Sequence, residues 1–325
     1  MTQPNLSRRR FARAAALAAA LPLFAAAQTG KPLEWVVGYA AGGGSDVVAR
    51  TVAEQMQKTL NRPIVVNNKP GAATNIAADY VAKSKDIGNI MFTADFATLA
   101  ANPALFAKLS YDAEKDFAPI GMLARFPLLL VVNPSVPAKN WKEFVAWAKA
   151  QPQGVNYASA GAGSPHHLAS ELLRERSGLK LVHVPYRGAA PAVQDLLGGQ
   201  VPVGLMDTAS VQQYVTAGKL RAIGVASGKR LATFPDVPTL MEQGLTGFEA
   251  YAWQGLVAPV GTPAATIAEW NKALQDALNS TPVKARFQTL SLEALPGTPQ
   301  QMAAYAHAER DRWGKLIHDN GIKLD

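Results

Sequence analysis

The sequence predicts an α/β protein in two halves, with mixed or parallel sheets flanked by helices, and three observations carry that expectation. Apolar runs of strand length alternate with segments of helical periodicity along most of the 325-residue chain. Two glycine-rich turns, Tyr39-Ala-Ala-Gly-Gly-Gly-Ser-Asp46 and Ala158-Ser-Ala-Gly-Ala-Gly-Ser164, each leave a strand and open a helix, far enough apart in the chain for each to sit on its own half. Two apolar segments, 127–132 and 251–259, are expected to carry the chain between the halves, so that the first half is built from both chain ends.

In chain order, the first strand is Leu33-Glu-Trp-Val-Val37. The helix expected over 46–60 places Val48, Val52, Met56 and Leu60 every four residues, which makes one buried stripe. Ser45 or Asp46 is placed to cap it, and Asp46 with Arg50 is an i,i+4 ion pair of the favourable orientation. Strands over 63–67 and 89–93 bracket a helix over 75–83, and a strand over 128–132 precedes a helix over 141–150. The second turn follows a strand over 155–158. There Ser164 is a natural N-cap, Pro165 fits the first helical position where its missing N–H costs nothing, and Gly178 ends a helix carrying Leu168, Leu172 and Leu173. Strands over 181–184, 203–206 and 222–226 alternate with helices over 189–197 and 211–217, and helices over 263–279, 281–288 and 299–320 complete the chain.

The first 27 residues read as a signal peptide. Ser7-Arg-Arg-Arg-Phe-Ala-Arg13 is followed by an apolar run over 14–27 that ends in Ala25-Ala-Ala27, a small-residue cleavage site. Paired arginines before Phe11 and a mildly hydrophobic, alanine-rich core resemble a twin-arginine signal, with the Sec route as the alternative. Without cysteine there is no lipid anchor, disulfide or thiolate nucleophile, so the mature protein is expected to be free in the periplasm. Removing Arg8, Arg9, Arg10 and Arg13 takes the formal charge from +8 to +4. That mild surplus, with no basic cluster interleaved with aromatics, argues against nucleic acid and suits a small anion.

Glycine turns that open helices are anion cradles: the first helical N–H groups have no intrahelical partner, and the macrodipole makes that end positive. Neither turn fits G-x-G-x-x-G or G-x-x-x-x-G-K-[ST], which disfavours a dinucleotide or a nucleoside triphosphate. The histidines, His166, His167, His183, His307 and His318, lie in no zinc-hydrolase spacing, although His166, His167, His183 and Asp207 could be assembled into a metal site on paper. A hydrolase using Ser164 and His167 would need an oriented base that no motif singles out. No enzymatic activity, cofactor or metal is expected.

From Lys31 onward the chain resembles the extracytoplasmic solute receptors of tripartite tricarboxylate transporters, the Bug family. The resemblance rests on Tyr39 to Arg50, Val66-Asn-Asn-Lys-Pro-Gly-Ala72, Asn102-Pro-Ala-Leu-Phe106, Asp116-Phe-Ala-Pro119, Tyr157 to Ser164 with His167-Leu168, Val184-Pro-Tyr-Arg-Gly188, Leu197-Gly-Gly-Gln-Val201, Pro235-Asp-Val-Pro-Thr239 and Trp253-Gln-Gly-Leu-Val-Ala-Pro259. It implies a type II periplasmic binding protein of Venus flytrap form that closes on a small carboxylate and presents it to membrane permease subunits. A monomer is implied, and a sensor subunit of a signalling protein is the alternative use of the same closure. Lobe 1 would comprise 28–128 with 250–325, and lobe 2 would comprise 129–249.

The family's facing loops map onto Tyr39, Gly42, Gly43, Gly44, Ser45 and Asp46 on one side and Ala160, Gly161, Gly163, Ser164 and His167 on the other. Asp46 is read as an organiser of backbone, since a bare carboxylate would repel the ligand. Tyr186 and Arg187 follow a strand of the second lobe, with Arg187 the candidate for charge complementarity, and Asp207 either meets an amino group or caps the next helix. Prolines usual in the family are replaced here by Gly38 and Ala41, and its small polar residues after the strand ending at Thr93 are replaced by Asp95 and Phe96. With Asp95 and Asp207 facing the ligand, a monocarboxylate or an amino-acid-like or aromatic acid would be preferred over a tricarboxylate such as citrate.

Overall fold

The computed structural model describes residues 31–324, and the expected signal peptide lies outside them. Strands β1 (Leu33–Val37), β2 (Ile64–Asn68) and β3 (Ile90–Asp95) form a parallel group in the order β2-β1-β3, connected by helices α1 (Gly44–Leu60) and α2 (Asn75–Ala82). A π-helical turn, Ala97–Ala101, leads to the short helix α3 (Asn102–Leu105) and then to β4 (Phe117–Val132). There follow α4 (Trp141–Lys149), β5 (Val155–Ser159), α5 (Pro165–Ser177), β6 (Leu181–Pro185), α6 (Ala189–Gly198), β7 (Val203–Asp207), α7 (Thr208–Thr216) and β8 (Arg221–Val225). The chain returns in β9 (Tyr251–Pro259) and finishes with α8 (Ala264–Asn279), α9 (Thr281–Thr289), β10 (Glu293–Ala294) and α10 (Pro299–Asp319).

The long strand β4 joins the two halves. Residues 117–127 pair antiparallel with β9, which pairs in turn with β3; from Leu128 to Val132 the same strand pairs with β7 and β8. The resulting order is β2-β1-β3-β9-β4-β7-β5-β6, with β8 and β10 also pairing β4. The strand expected over 128–132 is therefore only the second half of β4. Its first half contains Pro119, Gly121 and Pro127, and register shifts at Pro119/Gly121 and Met122/Ala124 accommodate the first two, so the sequence pattern is broken where the strand is not. The return crossing lies just before β9: Ala226 donates to Leu128 and Ala250 to Ala226, at 2.8 and 2.9 Å.

Helices cover both faces of the first half. Val48, Val52 and Met56 of α1 share one core with Trp270, Leu274 and Leu278 of α8, as their four-residue spacing requires. On the opposite face Phe96 lies edge-on to Trp313 of α10 at 5.2 Å and to Trp253 of β9 at 6.4 Å. In the second half Leu129, Val131 and Met206 face Val193 and Leu196 of α6. Every strand that precedes a candidate loop is thus clamped between helices, and the loops leave a rigid base.

Candidate functional site

The first loop leaves the carboxyl end of β1 and turns through Gly42, whose φ of +81° is a conformation that favours glycine. Gly43, extended at φ −76°, is the N-cap of α1, so the helix begins at Gly44, and neither Ser45 nor Asp46 is the capping residue. Asp46 instead lies inside the first turn and folds back over the loop. Its carboxylate accepts the Gly42 N–H at 2.9 Å, both oxygens meet Arg50 Nε, and Asn68 Nδ2 donates to it while also holding the Tyr39 carbonyl. Burial raises the carboxyl pKa, but donors from Arg50, Gly42 and Asn68 outweigh it and hold Asp46 below the usual carboxylate range. The acid organises the loop, as read from sequence, and the first-turn N–H groups beyond it have no intrahelical partner.

The second loop is held from behind by an imidazole. Gly163 N–H donates to His167 Nδ1 at 3.0 Å, Ser164 caps α5 by accepting the His167 N–H, and Ser164 Oγ donates to the Gly161 carbonyl. His167 stacks on His183 at 3.9 Å and 10°, and His183 in turn lies against Tyr157. Burial and the neighbouring His183 push His167 down to about 4, so the ring is neutral and free to accept. Ser164 and His167 meet only through the main-chain N–H of His167, so they form no serine–imidazole dyad. Ala160 is tied to the β6–α6 turn by Gly188 N–H at 3.1 Å, while Gly161 and Gly163 adopt φ of +133° and +76°.

The two halves meet at these loops. A Cβ built on Gly44 would lie 3.4 Å from the Phe126 ring and 4.0 Å from Ala209 Cβ, so the first turn of α1 faces the first turn of α7. A Cβ on Gly163 would fall 2.7 Å from Leu105 and 2.9 Å from Leu324, which places the second loop against α3 and the C-terminal tail.

Other candidates from the sequence divide into those facing this region and those spent elsewhere. Asp207 ends β7, accepts from Ser210 N and Oγ at 2.9 and 2.8 Å to cap α7, and lies 3.0 Å from His166 Nε2. Burial opposes its charge, yet His166 and Ser210 hold it below the usual range. Asp95 is engaged by the Tyr39 hydroxyl and by Thr98 N and Oγ1, and burial raises its carboxyl; Thr93 Oγ1 accepts from Trp35 Nε1. Phe96 is core, so it offers no ring to an aromatic ligand. Tyr186 donates to Asp195 at 2.6 Å, whereas Arg187 beside it is exposed. Two residues singled out only as parts of matching stretches or as spare histidines stand in the site: Gln254, bonded to Ser45, and His166, bonded to Asp207. Nothing in their local sequence marks them, because strand pairing and helix packing bring them there. Among the described residues no group of three or more His, Cys, Asp or Glu is arranged to hold a metal ion. A concavity of about 610 Å³ beside α3 is lined by Phe106, Tyr111, Glu114 and Arg310, and its Arg310 is taken up by Glu114 and the Leu99 carbonyl.

Comparison with known proteins matches residues 48–322 to the tripartite tricarboxylate transporter family receptor. The chain is 34% identical to Protein BugT of Bordetella pertussis over 306 residues, 94% of each protein. A Rhodopseudomonas palustris protein solved with adipate superposes with a TM-score of 0.85 at 30% identity, covering 90% of this chain and 98% of that one. MatC from the same organism, with bound malate, gives 0.80 at 34% identity, covering 88% and 98%. These neighbours share the two-lobed α/β architecture of periplasmic binding proteins.

Proposed function

The chain belongs to the tripartite tricarboxylate transporter receptor family, and from that premise we propose that it captures a small carboxylate between its two glycine-rich loops, closes on it and delivers it to membrane permease subunits. Two braced cradles, each set against the other half of the chain, support this most directly. α1 and α5 each start at a glycine turn, each turn is braced by a buried side chain (Asp46, His167), and α1 meets the other half at Gly44 and Ala209. An anion held there receives first-turn N–H groups and the positive ends of helix dipoles, with the Arg187 guanidinium available at the rim.

Lobe 1 comprises 28–128 with 250–325 and lobe 2 comprises 129–249; the change of partner along β4 at Pro127/Leu128 supports that division. Export by the twin-arginine route through 1–27 places the receptor in the periplasm, where it acts as a monomer without enzymatic activity. Relatives with adipate and with malate make a dicarboxylate the first class to try. The preference against citrate loses its original ground, since Asp95 and Asp207 both point their oxygens at protein donors.

Thermal-shift screening of mono-, di- and tricarboxylates, followed by calorimetry, tests the reading. A true ligand at a hundredfold its Kd adds about 2.7 kcal/mol to stability. If no carboxylate raises the unfolding midpoint, the reading is wrong.

A further inference from the structure

Two polar atoms beside the cradles are buried without a partner. Gln254 of β9 is 5% exposed; its Nε2 donates to Ser45 Oγ in the first turn of α1, while its Oε1 has no hydrogen-bond partner. His166, in the first turn of α5, is 6% exposed; its Nε2 lies 3.0 Å from Asp207, while its Nδ1 has no partner. A carboxylate only accepts, so the Nε2 of the ring carries a proton toward Asp207. Gln254 Oε1 can only accept, and it is the open acceptor beside the first cradle.

Their positions in the fold belong to the cleft. Gln254 is paired with Asp95 at the carboxyl end of β3, and Ser45, which it touches, sits in the first cradle. His166 follows the second cradle at the carboxyl end of β5, and Asp207 is the last residue of the adjacent β7. In α/β sheets ligands lie beyond the carboxyl ends of strands, and the helix starts to which these side chains bond, α1 at Ser45 and α7 at its cap Asp207, approach each other at Gly44 and Ala209.

An unsubstituted carboxylate supplies only acceptors. It satisfies helix N–H groups but leaves Gln254 Oε1 bare, and a buried bare acceptor is costly. We propose that this site takes an acid carrying a hydroxyl or amino donor next to a carboxylate, with Gln254 Oε1 the acceptor that reads the donor. The proposal rests on the carboxylate reading above and narrows it to 2-hydroxy and 2-amino acids.

Calorimetry on the mature chain with matched probes decides it: succinate against L-malate and L-aspartate, and glutarate against L-2-hydroxyglutarate and L-glutamate. At least one substituted acid should bind tenfold or more tightly than its unsubstituted parent, because a site built to bond a donor discriminates against the analogue lacking it. The malate and aspartate arms separate hydroxyl from amino. Gln254→Met removes the acceptor at similar volume, together with the amide's bond to Ser45; the preference for the substituted acid over its parent should fall about tenfold. Parent acids that bind wild type as tightly as all their substituted partners overturn the proposal, and that comparison stands even if the variant does not fold. Equal weakening of both classes by Gln254→Met also overturns it, since an amide turned to offer Nε2 to a carboxylate behaves that way. Binding by none of the probes or any other carboxylate removes the carboxylate reading and this proposal together, whereas binding without discrimination removes only the latter.

Discussion

Acidification should loosen the second cradle before it unfolds the rest. His167 is held neutral, its pKa moved from the ordinary 6.5 to about 4 by burial and by His183, and its Nδ1 lone pair accepts the Gly163 N–H. The unfolded chain therefore binds more protons than the folded one between these values. Stability from this group is fully present above pH 6.5 and is lost as pH falls toward 4. Between pH 8 and pH 5 the loss is about 2 kcal/mol, or a fall of about 4–8 °C in the unfolding midpoint for a chain of this size. His183, also held down by burial, adds in the same direction. Asp46 and Asp207, held below the usual range, are lost only at lower pH, while Asp95, raised by burial, has the opposite sign. A variant isolates the imidazole from these. His167→Asn places an amide oxygen where Nδ1 sits, so Gly163 keeps its acceptor but nothing titrates there. Denaturant unfolding of both proteins at pH 8, 7, 6 and 5 should show wild type losing about 2 kcal/mol more than the variant across the range. Calorimetry over the same range should show wild-type affinity nearly unchanged, because the folded ring stays neutral and keeps its bond to Gly163 until the pH approaches 4. Parallel pH profiles would refute the assignment of His167 as the neutral brace.

The two cradle glycines should fail for different reasons when replaced by valine. At Gly43 the backbone is extended and an added Cβ meets only the Ala40 carbonyl at 3.4 Å, so Gly43→Val should fold normally and lose affinity at least tenfold by calorimetry. At Gly163 the φ of +76° and the 2.7 and 2.9 Å approaches to Leu105 and Leu324 make valine strained and overpacked. Gly163→Val should therefore lower the apo unfolding midpoint, by about 1–3 kcal/mol, as well as weaken binding; equal midpoints for the two variants would contradict this. A ligand that bridges both lobes makes all its contacts only in the closed form, so small-angle scattering should report a smaller radius of gyration on adding a saturating acid. An unchanged radius would count against closure.

Much of the fold is legible in the order of residues because its signals are local. The four-residue stripe of α1, the Ser164–Pro165 start and Gly178 stop of α5, and the apolar runs of β1, β5, β6 and β7 each act within a few neighbours, and each element lies within a few residues of its expected place. Both glycine turns are visible for the same reason: the positive φ at Gly42, Gly161 and Gly163 favours glycine. The sequence cannot show what pairing at a distance does. β4 reads as one short strand because prolines and a glycine interrupt its first half, yet pairing with β9 keeps that half extended, so the whole strand runs 16 residues. Asp95 and Phe96 adjoin in sequence, but β3 ends at Asp95 and Phe96 already has helical φ and ψ of −45° and −46°, which turns one to Tyr39 and the other into the core. The roles of Gln254 and His166 likewise arise only in three dimensions. Ser45, 209 positions from Gln254, and Asp207, 41 positions from His166, decide which atoms of the buried amide and imidazole find a partner, and no local pattern encodes that. Composition and short-range spacing determined that this chain has two glycine turns opening helices on an α/β frame. Packing decided which side chains brace them, which are consumed by neighbours, and which acceptor is left for a ligand.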